Sequence, residues 1–287
     1  MIARAANPGD QGPIARLLSF PQFSYLAVAS AEIPELLAEG AGVVAESDGQ
    51  VCAALIAELV DDEVAWLRVA SAGRERAVQQ TMLALIDALN ALLRARGVRR
   101  LLIANGAFSD LWLRQALQAR GFAAADDVLV YETERLVPPA RGDATIDVRR
   151  ATAADLATAI AIDHAAFAPD WYKRGRALEP ALGEAPLFVI AERAGRPIGY
   201  AFVTAHFGGR LVHLVRIAVL PDERGRGVGV RLLAEVMDYA AAVRANVVTL
   251  NTQAANASAR RLYEWFGFRL TGERQEVLAL TITENSS

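Results

Sequence analysis

The residues best placed to do chemistry are Arg224-Gly225-Arg226-Gly227-Val228-Gly229, which lie between a hydrophobic stretch and an amphipathic one. Glycines in such a turn let backbone N–H groups approach one point with no Cβ in the way. A helix starting there adds unpaired N–H groups and the positive end of its dipole. Together they make a nest for a diphosphate, and Arg224 and Arg226 can add charge at its rim. The turn has no Gly-Lys-Ser/Thr, and its Gly-x-Gly-x-Gly spacing departs from the Gly-x-Gly-x-x-Gly of dinucleotide-binding folds. A tight turn holding no ligand is the alternative on these residues alone.

The flanking elements must position that turn. Residues 211–220 read as a long strand rich in Val, Leu and Ile. From about Gly227 a helix follows, with Leu232, Leu233, Val236, Met237 and Ala240 on one face. Before them the pattern gives a strand near 146–150, a helix near 153–166 and an irregular segment through about 180. A hairpin follows, of strands 187–192 and 198–204 around Ala194-Gly195-Arg196-Pro197. After the helix come a strand at 247–252, a short helix at 256–266 and a last strand at 277–283. Mostly antiparallel strands followed by strand–helix–strand–helix define an α+β domain, a mixed sheet flanked by helices.

The same order occurs twice, offset by about 146 residues. Arg4-Ala5-Ala6 with Asp10 echoes Arg149-Arg150-Ala151 with Asp155, and residues 43–49 echo 189–195. Residues 101–105 echo 247–251, and Gly121-Phe122 echoes Gly267-Phe268. The chain therefore reads as tandem domains, 1–137 and 145–287, joined by a linker at 138–144 that begins Pro138-Pro139.

The turn also has a family likeness. Arg-x-x-Gly-x-Gly after Arg216-Ile217-Ala218-Val219-Leu220-Pro221 resembles the acetyl-CoA pyrophosphate motif of the GNAT superfamily of N-acetyltransferases. Asn256-Ala257-Ser258-Ala259-Arg260-Arg261-Leu262-Tyr263-Glu264-Trp265-Phe266-Gly267-Phe268 resembles its second motif, in the same order. The second half is most similar in flavour to the ribosomal-protein alanine acetyltransferases. The whole resembles two-domain GNATs such as mycothiol synthase, that is, two tandem GNAT-like domains. The resemblance implies an acetyl-CoA-dependent N-acetyltransferase acting on a small-molecule amine or a peptide N-terminus. The backbone at Ile217, Ala218 and Val219 would hold the pantetheine arm, with Val219 N–H polarising the carbonyl. The amides from Arg224 to Gly229 would hold the diphosphate. Asn256 and Ala259 would help fix the cofactor, and Tyr263 would be the general acid. Core packing and an ordinary helix cap are the alternatives for Tyr263 and Asn256.

The base is less clearly written. Alanine acetyltransferases of this type carry a glutamate where Asn251 stands, and many relatives place Glu or His where His213 stands. An imidazole suits amine deprotonation near neutral pH. Counted by twos, His213 shares a face with Val215, Ile217 and Val219. Glu223, Glu192 and a water chain are alternatives. The acceptor would meet Phe167-Ala168-Pro169-Asp170-Trp171-Tyr172-Lys173-Arg174-Gly175, unless Trp171 only pins that loop.

In the first half, alignment places Arg68 on Arg216, and Arg74, Arg76, Ala77 and Gln79 on Arg224, Arg226, Gly227 and Gly229. Side chains at Ala77 and Gln79 would crowd the nest, Leu117 replaces Tyr263, and Asp110 replaces Asn256. That domain is expected to be non-catalytic; the resemblance to two-domain GNATs implies that it shapes or covers the acceptor site, and an inert scaffold is the alternative.

Composition excludes other classes. Hydrophobic residues are 53% and charged residues 22%, enough for packed cores and too apolar for disorder. A net charge of −3 without a basic block argues against nucleic-acid binding. Cys52 is the only cysteine, so neither an intramolecular disulfide nor a cysteine metal site is expected. No leader-like or membrane-spanning apolar run is visible, so the expectation is a cytoplasmic protein off the membrane, with the oligomeric state left open. The rival reading is an acyl-CoA-binding regulatory or scaffold protein without turnover.

Overall fold

A computed structural model describes residues 1–19, 23–73, 77–105 and 111–283. Arg74, Arg76 and Asp110 lie outside the described residues. The chain forms two compact units, residues 1–126 with 275–287, and residues 127–274.

In the first unit, β1 (Ile2–Ala5), β3 (Gly42–Ser47), β4 (Gln50–Leu59) and β5 (Val64–Ala72) pair antiparallel in that order. Strand β6 (Arg100–Asn105) lies parallel to β5, and β2 (Ser24–Leu26) also pairs with β5. Helices α3 (Val78–Arg94) and α4 (Leu111–Ala119) bury Met82, Leu85, Leu89 and Leu117 on one face. Helices α1 (Gln11–Leu18) and α2 (Ile33–Ala38) bury Ile14, Leu36 and Leu37 on the other.

The second unit repeats the plan. Strands β8 (Ile146–Arg150), β9 (Leu187–Arg193), β10 (Arg196–His206) and β11 (Leu211–Val219) are antiparallel, and β12 (Val247–Gln253) lies parallel to β11. Helices α7 (Val228–Ala242) and α8 (Ala257–Trp265) cover one face. Helices α5 (Leu156–Ala166) and α6 (Gly175–Glu184) cover the other. Helix α6 lies where the sequence reads as irregular, because Gly175, Pro180 and Gly183 hide its periodicity. The repeat extends to side chains. Arg4 forks onto Asp10 and reaches Glu46, as Arg149 forks onto Asp155 and reaches Glu192.

The unit boundaries differ from a cut at 138–144. Each unit closes its sheet with a strand from the other half of the sequence. Residues 128–133 of β7 (Ala123–Thr133) pair with β12, and residues 276–281 of β13 (Arg269–Thr281) pair with β6. A strand pairs by register and hydrogen bonding, which leave no local mark on where in the chain it comes from. A fragment of residues 145–287 lacks the strand beside β12, so it should aggregate or unfold non-cooperatively. Residues 127–274 should show a single cooperative transition by circular dichroism. Equal behaviour of the two fragments would contradict this assignment.

Candidate active site

Strands β11 and β12 pair only from Leu211↔Val247 to Leu214↔Leu250. Beyond that point β11 stays with β10 as far as Val219, while β12 follows β7 as far as Gln253. A wedge opens between them, and a bulge starts it. Phe202 faces Arg216 and Val203 faces Leu214, leaving Val215 as the extra residue. Val212 and Leu214 point into the core under α7, whereas Arg216 and Ala218 point to the α5 side. The bulge therefore reverses the parity of the strand. His213 does not share a face with Ile217 and Val219, as counting by twos implies; those two pack toward α7.

Arg216 is held in place by a buried ion pair. Its guanidinium forks onto Asp163 of α5 at 2.8 and 2.9 Å, where Asp163 is fully buried. Asp163 also accepts from the Tyr200 hydroxyl at 2.6 Å and from the Lys173 N–H at 2.7 Å. Arg216 further donates to the Trp171 carbonyl at 2.6 Å and lies over the Phe167 ring at 3.4 Å. The 167–175 segment is thus tied to β11 through Arg216 and Asp163. Asp163 carries no motif signal, because an acid in an apolar helix is legible only once its arginine is found across the sheet.

The glycine turn is formed as the sequence implies. Gly225 and Gly227 have φ of 74° and 81°, in the left-handed region, and Gly227 caps α7. The backbone N–H groups of residues 225–230 donate to no acceptor among the described residues. Val228 is buried and anchors the turn. Gly229 admits Leu262 of α8, since a Cβ there would come within 3.2 Å of its Cδ2. A Cβ on Gly227 would meet Asp143 of the linker, 3.2 Å from its N. The left-handed backbone at Gly227 and the packing of α8 against Gly229 also favour glycine at these two positions. Arg224 donates to the Ala166 carbonyl, while Arg226 is exposed.

Across the wedge, the Tyr263 side chain is buried in the α7–α8 core beside Tyr131 and Phe268, at ring separations of 6.4 and 6.0 Å. Burial pushes its phenol above the usual range, so the group stays protonated at neutral pH. Its hydroxyl has no hydrogen-bond partner among the described residues. Asn256 Oδ1 accepts from Ala259 N at 3.2 Å, so Asn256 caps α8 and the Ala259 amide is engaged within the protein.

On the face away from α7, His213 Nδ1 lies 2.9 Å from Thr249 Oγ1. Burial, and secondarily the neighbouring His206, lower its pKa. Asn251, two residues after Thr249, is exposed on that same face. Glu192 and Glu223 stand apart from this group: Glu192 binds Arg149 at 2.8 Å, and Glu223 pairs with Arg193 at 3.3 Å. The ion pairs that occupy them disfavour both as bases.

The first unit has the same bulge and a different wedge. Ile56 faces Val69 and Ala57 faces Leu67, so Arg68 matches Val215 and Val69 matches Arg216, one position from the sequence alignment. Strand β6 leaves β5 after Trp66↔Leu102. There β2 fills the opening, with Ser24, Tyr25 and Leu26 against Ser71, Ala70 and Val69. The Tyr25 hydroxyl donates to the Ala104 carbonyl of β6 at 2.9 Å. Residue 77, at the start of α3, has φ of −123° where Gly227 is left-handed. Leu117 stands at the place of Tyr263, each accepting the N–H of the phenylalanine five residues on.

Residues 155–268 match the acetyltransferase (GNAT) family. The chain carries a GNAT acetyltransferase domain. A segment of 96 residues is 33% identical to the peptidyl-lysine N-acetyltransferase YjaB of Salmonella typhimurium, covering 33% of this chain and 58% of that protein. A segment of 85 residues is 33% identical to human N-acetylaspartate synthetase, covering 30% of this chain and 28% of that one. The match thus spans under two thirds of either relative. Over nearly the full chain, the fold is shared with a GCN5-related N-acetyltransferase from Sphaerobacter thermophilus (TM-score 0.59, 19% identity, 99% and 96% coverage). It is shared also with a tandem GNAT protein of the clavulanic acid pathway (TM-score 0.63, 13% identity, 99% of each chain).

Asp163→Ala would leave the Arg216 charge buried without its counter-ion. We expect a loss of about 3–5 kcal/mol in urea unfolding. A loss under about 1 kcal/mol, the range of an exposed pair, would contradict the role given to this contact.

Proposed function

We propose that the GNAT domain transfers acetyl from acetyl-CoA to a primary amine of a small molecule or a peptide N-terminus. The observation that carries this reading is the open wedge beside β11, ending at a turn whose N–H groups at 225–230 meet no acceptor among the described residues. The residues fit the group. The free edge of β11 at Ile217, Ala218 and Val219 would pair with the pantetheine amides, and residues 224–229 would hold the diphosphate. Bound acetyl-CoA supplies the activated acetyl group as a thioester. His213 accepts the proton of the acceptor ammonium, directly or through water, and leaves a neutral amine to form the new C–N bond. As the C–S bond breaks, its electron pair would stay on sulfur and Tyr263 would donate the proton that neutralises it; the new amide nitrogen would shed its remaining surplus proton, which would return to the Tyr263 oxygen through water. The relatives' names, covering a peptidyl-lysine acetyltransferase and an N-acetylaspartate synthetase, support an amine acceptor without choosing one.

Asn251 favours the second reading, an acyl-CoA-binding protein without turnover, because an amide cannot take a proton at neutral pH. Thiol release from acetyl-CoA across an amine panel separates the two. Because burial lowers the His213 pKa, the acidic limb of kcat/KM should fall below pH of about 6.5. The rate should be flat above that limb, and His213→Ala should abolish it. An unchanged profile would remove His213 as base, and binding without thiol release would favour the second reading.

The first unit, with β2 in its wedge and no left-handed glycine at α3, is the non-catalytic copy in this proposal. Calorimetry should give one coenzyme A per chain. Gly225→Asp, in open space at a φ that Asp tolerates, should weaken it at least tenfold, or about 1.4 kcal/mol. A stoichiometry of two would contradict the closed first wedge.

A further inference from the structure

With no hydrogen bond from the described residues to aim it, the Tyr263 phenol depends on whatever holds its ring and its helix. Strand β7 supplies that hold. Tyr131 pairs with Leu250, the residue at which β11 and β12 part, so it stands at the apex of the wedge. It is fully buried, and its ring lies 6.4 Å from that of Tyr263 at an interplanar angle of 54°. Its hydroxyl donates to Glu264 Oε1 at 3.0 Å and accepts from Arg260 Nε at 3.2 Å. Arg260 also reaches the Ala254 carbonyl at 3.1 Å, ahead of the helix. Glu264 and Arg260 bracket Tyr263 on α8, so the hydroxyl ties that turn of helix to a strand paired into the sheet.

We propose that Tyr131 is a positioning residue that sets the direction of the Tyr263 phenol, with the Glu264 and Arg260 bonds fixing the rotation of α8. This rests on the reading of Tyr263 as proton donor. A buried tyrosine in a core needs only a partner for its hydroxyl; one partner on each side of the donor also fixes the helix about its axis. Positional errors of about an ångström in a catalytic group can cost on the order of 100-fold in rate. Sequence alone puts Tyr131 in the first domain, far from the chemistry.

The test is a double-mutant cycle of Tyr131→Phe and Tyr263→Phe in the full chain, read as kcat and KM. Tyr131→Phe keeps the ring and should lower kcat about tenfold, with KM for acetyl-CoA within about twofold. In the Tyr263→Phe background, itself slower by on the order of 100-fold, the same change should alter kcat by less than about twofold. A structural role alone would give equal losses in both backgrounds, and that result would overturn the inference while leaving the donor assignment standing. If Tyr263→Phe leaves kcat intact, the donor assignment falls and takes the inference with it. Should Tyr131→Phe fold poorly, Glu264→Ala severs half the tether from an exposed position and should lower kcat about threefold, again only when Tyr263 is present. An equal loss with and without Tyr263, or none in either background, would overturn the inference.

Discussion

The bulge at Val215 governs the second unit. One extra residue in β11 opens the sheet between β11 and β12 and turns Arg216 out of the α7 core into the α5 face. There a full positive charge must be compensated in an apolar setting, where an unpaired ion costs several kcal/mol. Asp163 compensates it, and three further hydrogen bonds to Asp163 and Arg216 share the load. The wedge and the ion pair are two consequences of the same irregularity, and the 167–175 segment is fixed to the sheet by the second of them.

The two units show how one fold can hold an open wedge or a closed one. Both have the bulge, the same arginine–carboxylate triad and the same helix order. In the first unit a short strand of the chain itself lies on the free edge of β5, so the backbone groups there are already paired. In the second the corresponding edge is open, and a left-handed glycine turns the start of α7 outward. Unpaired backbone groups at an edge are costly to leave buried and useful when a ligand completes them. That balance separates the units more sharply than the loss of single side chains.

Much of this was legible beforehand. The glycine turn, the paired motifs and the duplication are local patterns, and local patterns survive in sequence. The helices at 156–166, 228–242 and 257–265 are legible too, because a 3.6-residue period needs no partner to be recognised. Helix α6 is not legible in the sequence, because glycine and proline mask its period. The face that His213 shares is not legible either, because counting by twos assumes a regular strand, and a bulge of one residue inverts every side chain after it.

The sequence by itself determined most of the element types of the second half, α6 apart, together with the tandem repeat and the turn beside α7, since these depend on φ preferences and on the periodicity of apolar residues. Only the tertiary structure decided which strands close each sheet, that β2 fills the first wedge, and that Asp163 and Tyr131 stand beside the candidate site. Those facts are pairings between residues far apart in the chain. Burial and hydrogen-bond satisfaction select them after the elements have formed, and no local pattern records that selection.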